Sequence, residues 1–182
     1  EDTDGSVAVA ITDISPSDPG LTVAVENNSG NVDLTTLNAD CDVTAGDYTV
    51  TITATDSDNL SATDIFVVTV QNDSAPFVGS YSILTLTQGE DKSVTPDAVP
   101  SDPDGDLSTV TISPIQFAQN ASASINSSTG VVTINTTLGS PPGNYDLFIT
   151  AQDDCDNITS REVNVVIEKA NTPPVLSLTN SA

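Results

Sequence analysis

The chain has 182 residues, of which 26 are Asp or Glu, three are Lys or Arg (Lys92, Arg161, Lys169) and none is His, for a net charge of −23. Three cations cannot neutralise a phosphate backbone, so nucleic acid is excluded as a partner, and no apolar run reaches the roughly 18 residues that a membrane-inserted helix needs. Without His the commonest general base and transition-metal ligand is missing, and no enzyme is expected. Leu, Ile, Val and Phe together number 47, enough for a real core, although it must form against strong self-repulsion. No signal-peptide pattern is present, and a mature or excised segment is expected.

In chain order, Asp2-Thr3-Asp4-Gly5 forms an acidic turn, and Asn28-Ser29-Gly30 forms a second turn ahead of a strand at Val32–Leu34. From Asp47 to Thr55, Tyr48, Val50, Ile52 and Ala54 alternate with Thr, the period of two that marks a strand with one buried face. The acidic turn Asp56-Ser57-Asp58-Asn59 and a strand at Ser61–Val70 complete a hairpin. A linker, Gln71–Pro76, leads into an opening strand at Phe77–Thr87.

The same plan then recurs near an offset of one hundred. Asp102-Pro103-Asp104-Gly105 matches the first turn, and Ser128-Thr129-Gly130 precedes a strand at Val132–Ile134. Tyr145, Leu147, Ile149 and Ala151 alternate as Tyr48 to Ala54 do, followed by Asp153–Asn157 and a strand at Ser160–Glu168. A second linker runs from Asn171 to Pro174. Short Val- and Thr-rich strands broken by Gly, Pro, Asn and Asp predict two tandem β-sandwiches in an all-β chain. The expected division is 1–75, lacking its own first strand, 76–170, complete, and 171–182, a linker plus a strand. Tyr48 and Tyr145 are expected to be buried at strand starts, with each hydroxyl on a backbone partner.

The terminal strand, carried by Val175, Leu176 and Leu178, resembles the opening strand that the first unit lacks. Either the chain is cut from a longer array in arbitrary register, or each subunit lends its tail to the next. An unpaired strand edge templates pairing in both cases, so the expected partners are other copies or neighbouring repeats, head to tail.

Seven N-x-S/T sequons occur, at Asn27, Asn59, Asn72, Asn120, Asn126, Asn135 and Asn157. They are candidate glycosylation sites, although an Asn-, Ser- and Thr-rich composition supplies several by chance. Carboxylate pairs such as Asp153–Asp154 could serve a glycosidase. The chain offers four Phe, three Tyr and no Trp as sugar platforms, with Phe148 and Tyr81 expected to be exposed. Two cysteines in such a chain point to an oxidising, extracellular setting.

The motifs resemble the cadherin-like repeats of bacterial and archaeal surface proteins, including the dystroglycan-type variant. The likeness is carried by Asp102-Pro103-Asp104-Gly105, Ile125–Gly130, Gly143-Asn144-Tyr145, Ala151-Gln152-Asp153 and the Asn72-Asp73…Pro76 linker. The Leu-Asp-Arg-Glu-type motif of true cadherins is absent; Leu138-Gly139-Ser140 and Leu37-Asn38-Ala39-Asp40 stand there.

The resemblance implies Ig-like, cadherin-like sandwiches with Ca²⁺ held where Asp40 and Asp42, the linker residues Asn72 and Asp73, and Asp102, Asp104 and Asp153 converge. Calcium wants six to eight oxygen ligands, several of them charged, and so many carboxylates close together call for a cation. A solvated acidic coat is the alternative. Asp2, Asp4, Asp56 and Asp58 form half of a second, weaker set. The layout also implies a Cys41–Cys155 disulfide; two free thiols, or bonds between chains, are the alternatives. The expected role is an extracellular, cell-surface rod, stalk or filament stiffened by Ca²⁺; the alternative is a module that binds a surface glycan or a protein.

Overall fold

Alternating aliphatic and Thr, Ser or Asn residues, interrupted by Asp- and Gly-rich turns, fold into strands alone among the described residues. The computed structural model describes residues 7–28, 31–171, 173, 174 and 176. Its contacts divide the chain into two compact units, residues 1–73 and 74–182.

The first unit holds β1 (Ala8–Ser15), β2 (Leu21–Asn28), β3 (Asn31–Ala39), β4 (Gly46–Thr55) and β5 (Ser61–Val70). One antiparallel sheet runs β1-β4-β5 and a second pairs β2 with β3. The alternation predicted for β4 holds, since Tyr48 and Val50 point into a small core with Leu21 and Val68.

The second unit holds β6 (Leu84–Thr87), β7 (Asp91–Val94), β8 (Leu107–Ser113), β9 (Ala121–Ile125), β10 (Val132–Thr136), β11 (Gly143–Asp153) and β12 (Ile158–Glu168). Its sheets run β6-β12-β11-β8, with β6 parallel to β12, and β7-β10-β9. Val132, Ile134, Leu147, Ile149, Val163 and Val165 are wholly buried between them, against Leu84, Leu86 and Val78.

The tip of the β9–β10 hairpin is set by Asn126, whose Oδ1 accepts from Ser128 N at 3.1 Å and Thr129 N at 3.0 Å. Gly130 closes this turn at φ +70, where an added Cβ would lie 2.8 Å from Pro100 Cδ and 2.9 Å from Pro96 Cγ. Both the positive φ and the close approach call for glycine.

The opening strand is shorter than the predicted Phe77–Thr87. Only Leu84–Thr87 is strand, and Phe77 makes a single bridge with Ser101. The backbone in between finds partners outside a ladder: Ser80 N donates to Asp97 Oδ1 at 2.6 Å, and Val78 O accepts from Arg161 Nε at 3.1 Å. With those groups satisfied, nothing drives them into a sheet.

The two units differ in their strand complement. Strands β1 to β5 match β8 to β12 in order and pairing, while among the described residues nothing in the first unit corresponds to β6 and β7. Val32 and Leu34, at the places of the fully buried Val132 and Ile134, are 45% and 50% exposed.

Candidate metal centre

The turn before β8 carries Asp at every second position, Asp102, Asp104 and Asp106. This spacing folds back on itself because Asp104 N donates to Asp102 Oδ1 at 3.1 Å, an Asx-type turn in which the side chain stands in for a backbone acceptor. Gly105 follows at φ +92. One carboxylate oxygen from each of the three lies within 4.8 Å of the other two. Ser74 N donates to Asp104 Oδ2 at 2.9 Å.

The electrostatics show what the crowding costs. The Asp102 carboxyl is pushed up to about 6, first by side-chain hydrogen bonding with Asp104, which favours a proton on Asp102, then by desolvation and by the Asp104 and Asp106 charges. Asp104 is correspondingly held below the usual range, first by the Asp102 contact and then by the Ser74 amide against an opposing desolvation. Two ionised carboxylates have no proton to share, and Asp102 Oδ2 is shut off from solvent with no hydrogen-bond partner. Such a cluster wants either a proton or a cation.

Asp153 ends β11 opposite Leu107 at a bulge, so it stands beside the triad in the sheet register. It is 2% exposed. Its Oδ1 accepts from Cys155 N at 3.0 Å and Asn157 N at 2.8 Å, while its Oδ2 is buried with no partner. A buried carboxylate oxygen without a donor is costly.

Of the residues expected as ligands, the structure therefore gathers Asp102 and Asp104 in one turn and buries Asp153 next along the register. Asp106 joins them and was missed; its signal was the alternation that continues one step beyond the Asp102-Pro103-Asp104-Gly105 match. Asp40 and Asp42 lie exposed in the loop between β3 and β4, where Asp40 Oδ1 accepts from Asn38 Nδ2 at 3.0 Å. Asn72 and Asp73 are exposed after β5. In the weaker set, Asp56 Oδ1 accepts from Asp58 N at 2.9 Å and Leu60 N at 2.8 Å, the turn that Asp153 repeats. Asp2 and Asp4 lie outside the described residues, as do Val175 and Leu178 of the terminal strand; Leu176 is 88% exposed.

Both cysteines are disulfide-bonded and neither is free. The sequon residues Asn27, Asn59, Asn72, Asn120, Asn126 and Asn135 are exposed, and Asn157 is half-buried. Tyr81 is a correction. It is half-buried rather than exposed, its hydroxyl donates to Gly130 O at 2.6 Å, and burial pushes its pKa up to about 12. It packs on the core and presents no ring to a sugar, whereas Phe148 is 48% exposed as expected.

No protein-family model matches the chain, and no curated protein does. Solved structures to which it is similar include domains 4 and 5 of the S-layer protein SbsC, at 15% identity over 88% of this chain and 70% of that one, with a TM-score of 0.43. Drosophila N-cadherin EC1-4 is 17% identical over 92% of this chain and 42% of its own, with a TM-score of 0.36. A nucleoside hydrolase-related hypothetical protein from Saccharophagus degradans is 18% identical over 53% of this chain, which spans 26% of it, with a TM-score of 0.40. These likenesses carry no assignment of activity. Among the described residues no helix is long and apolar enough to cross a membrane.

Proposed function

We propose that this chain is an extracellular structural or adhesion module, part of a rod, stalk or filament, whose stiffness depends on Ca²⁺ bound at the Asp102–Asp106 turn. The observation that carries the reading is the crowding of Asp102, Asp104 and Asp106 within 4.8 Å, together with the buried, partnerless Oδ2 atoms of Asp102 and Asp153. The donor set is all hard oxygen and several-fold negative, which suits Ca²⁺ and not a thiolate- or imidazole-seeking metal.

Asp102, Asp104 and Asp106 would hold the ion, with Asp153 in support. When bound, Ca²⁺ supplies the positive charge that the cluster lacks. The turn itself contributes the rest: the Asp102 side chain fixes the backbone at Asp104, the Ser74 amide orients Asp104, and the Cys155 and Asn157 amides fix Asp153. Asp40, Asp42, Asn72 and Asp73 are proposed as further ligands. An oxidised cysteine pair agrees with an extracellular setting, and the pairing we propose is Cys41 with Cys155.

The test is thermal unfolding in EDTA, then with Ca²⁺ or Mg²⁺ added back. A rise in Tm with Ca²⁺ alone, lost in Asp104→Asn, is the expected result, since an ion that binds only the folded state stabilises it. Equal shifts with both ions would reduce the cluster to a screened acidic coat.

A further inference from the structure

Among the described residues, one side of the first unit's sandwich carries no covering strand. In the second unit, β6 lies parallel along the edge of β12 at Val165–Glu168, and its Leu84 and Leu86 seal a core that contains Val132, Ile134, Val163 and Val165. The equivalent edge in the first unit, at the end of β5, pairs with no strand among the described residues, and neither does the outer edge of β3. Among the described residues, the first unit has no counterpart of β6 or β7 over this face. Val32 and Leu34 are about half exposed, and Val25, Val32, Leu34, Ile52 and Phe66 line an apolar hollow of about 200 Å³.

The chain carries a segment written like the missing cover. Leu84-Thr85-Leu86-Thr87-Gln88 supplies β6, and Leu176-Ser177-Leu178-Thr179-Asn180 repeats it, with Leu at the same two places and polar residues between them. From Asn171 to Ala182 no side chain is charged. In a chain of net charge −23, such a segment can approach another copy without adding a carboxylate to the contact. Leu176 stands 88% exposed, an apolar residue left without cover on its own chain.

We propose that residues 174–179 of one copy insert as a strand into the open side of the first unit of a second copy, parallel to β5. Leu176 and Leu178 take the places that Leu84 and Leu86 fill in the second unit. The inserted strand pairs through its backbone with the β5 edge, and its two Leu side chains cover Val32 and Leu34, the mode of strand addition to an exposed sheet edge. Each copy then offers one strand and accepts one, so contacts are head to tail and do not close on themselves in pairs. This deepens the filament reading by naming its joint, and it rests on the open sandwich rather than on Ca²⁺.

The experiment is sedimentation velocity of the 182-residue chain over a concentration series, in EDTA and in Ca²⁺. It is compared with a Leu176→Asp/Leu178→Asp variant whose circular dichroism is checked against the parent. A labelled peptide of residues 172–182 is then titrated into that variant, with and without Leu34→Asp. The expected result is concentration-dependent association of the parent in both buffers, its loss in the double variant, and saturable peptide binding abolished by Leu34→Asp. A parent that sediments as a monomer throughout, or association that survives the double variant, overturns the proposal, as does peptide binding indifferent to Leu34→Asp. A monomer would assign the cover to another segment of a longer chain. Association in EDTA with no Ca²⁺ effect on Tm would retire the calcium reading and leave the joint standing.

Discussion

Tyr145 donates its hydroxyl to the carbonyl oxygen of Pro141, four residues back, at 2.9 Å, and Tyr48 does the same to Thr44 at 2.6 Å. Each tyrosine thereby pins the loop that feeds its strand, the tyrosine corner of sandwich folds. Tyr145→Phe should therefore cost about 1 kcal/mol, the usual worth of one such bond. Its ring contact with Phe117, centroids 5.2 Å apart, would remain. Urea unfolding of the second unit, followed by tyrosine fluorescence or circular dichroism, measures it; an unchanged midpoint would make the hydroxyl ornamental.

The matched pair Leu34 and Ile134 should respond unequally to the same truncation. Ile134 is fully buried, and Ile134→Ala should destabilise its unit by about 2–5 kcal/mol. Leu34 is 50% exposed, and Leu34→Ala should stay within about 1 kcal/mol in the Leu176→Asp/Leu178→Asp background, which removes the proposed strand insertion. Hydrogen exchange resolved by residue separates the two units.

Asp153 separates a structural role from an ionic one. Asp153→Ala strands the Cys155 and Asn157 amides and should cost about 2 kcal/mol in EDTA. Asp153→Asn keeps an oxygen for both amides and removes a buried charge, so in EDTA it should match or exceed the parent. In Ca²⁺ it should fall behind. Melts of the three proteins in both buffers decide it, and an Asn variant that lags equally in EDTA would count against a role for the charge.

Acid behaviour of the metal-free protein follows from Asp102. Its folded pKa, about 6, lies above the ordinary 3.8, so the folded state binds its proton more tightly than the unfolded state. That contribution to stability is complete below about pH 4 and is lost as pH rises through about 6. In EDTA the Asp102→Asn variant should therefore have a flatter stability profile than the parent between those values. Asp18 has the opposite sign. The Gly20 and Thr44 amides hold its carboxyl below 3.8, so its contribution is present above that value and fades as pH falls through its lowered pKa. Urea midpoints across a pH series read both.

The strands were legible because their chemistry is periodic. Tyr48 to Ala54 and Tyr145 to Ala151 alternate without interruption, and β4, β5, β11 and β12 lie within a few residues of where that alternation puts them. Residues 77–83 were not legible, since Ser80 and Val78 satisfy their backbone through Asp97 and Arg161, partners that sequence distance hides. Tyr81 was misplaced for the same reason: its partner, Gly130, is 49 residues away. In the metal cluster, Asp102 and Asp104 were visible as a turn motif. Asp106 carried the same signal, Asp at every second position, one step beyond the part of the turn that matches the first unit.

Under the proposed Ca²⁺ reading, the grip on Asp153 bears on which ion the cluster would take. Two amides hold one of its oxygens, so folding has already removed much of the side chain's rotational freedom, and the spare oxygen is fixed in place before any ion arrives. Ordering such a side chain at the moment of binding would otherwise subtract from affinity. A cage stiffened in this way also cannot shrink readily around a smaller ion. Mg²⁺ demands a near-ideal octahedron at 2.0–2.1 Å and gives up its water reluctantly, whereas Ca²⁺ accepts irregular oxygen sets at 2.3–2.6 Å. The same two backbone hydrogen bonds that shape the hairpin tip would thus let the larger ion in and keep the smaller one in its hydration shell.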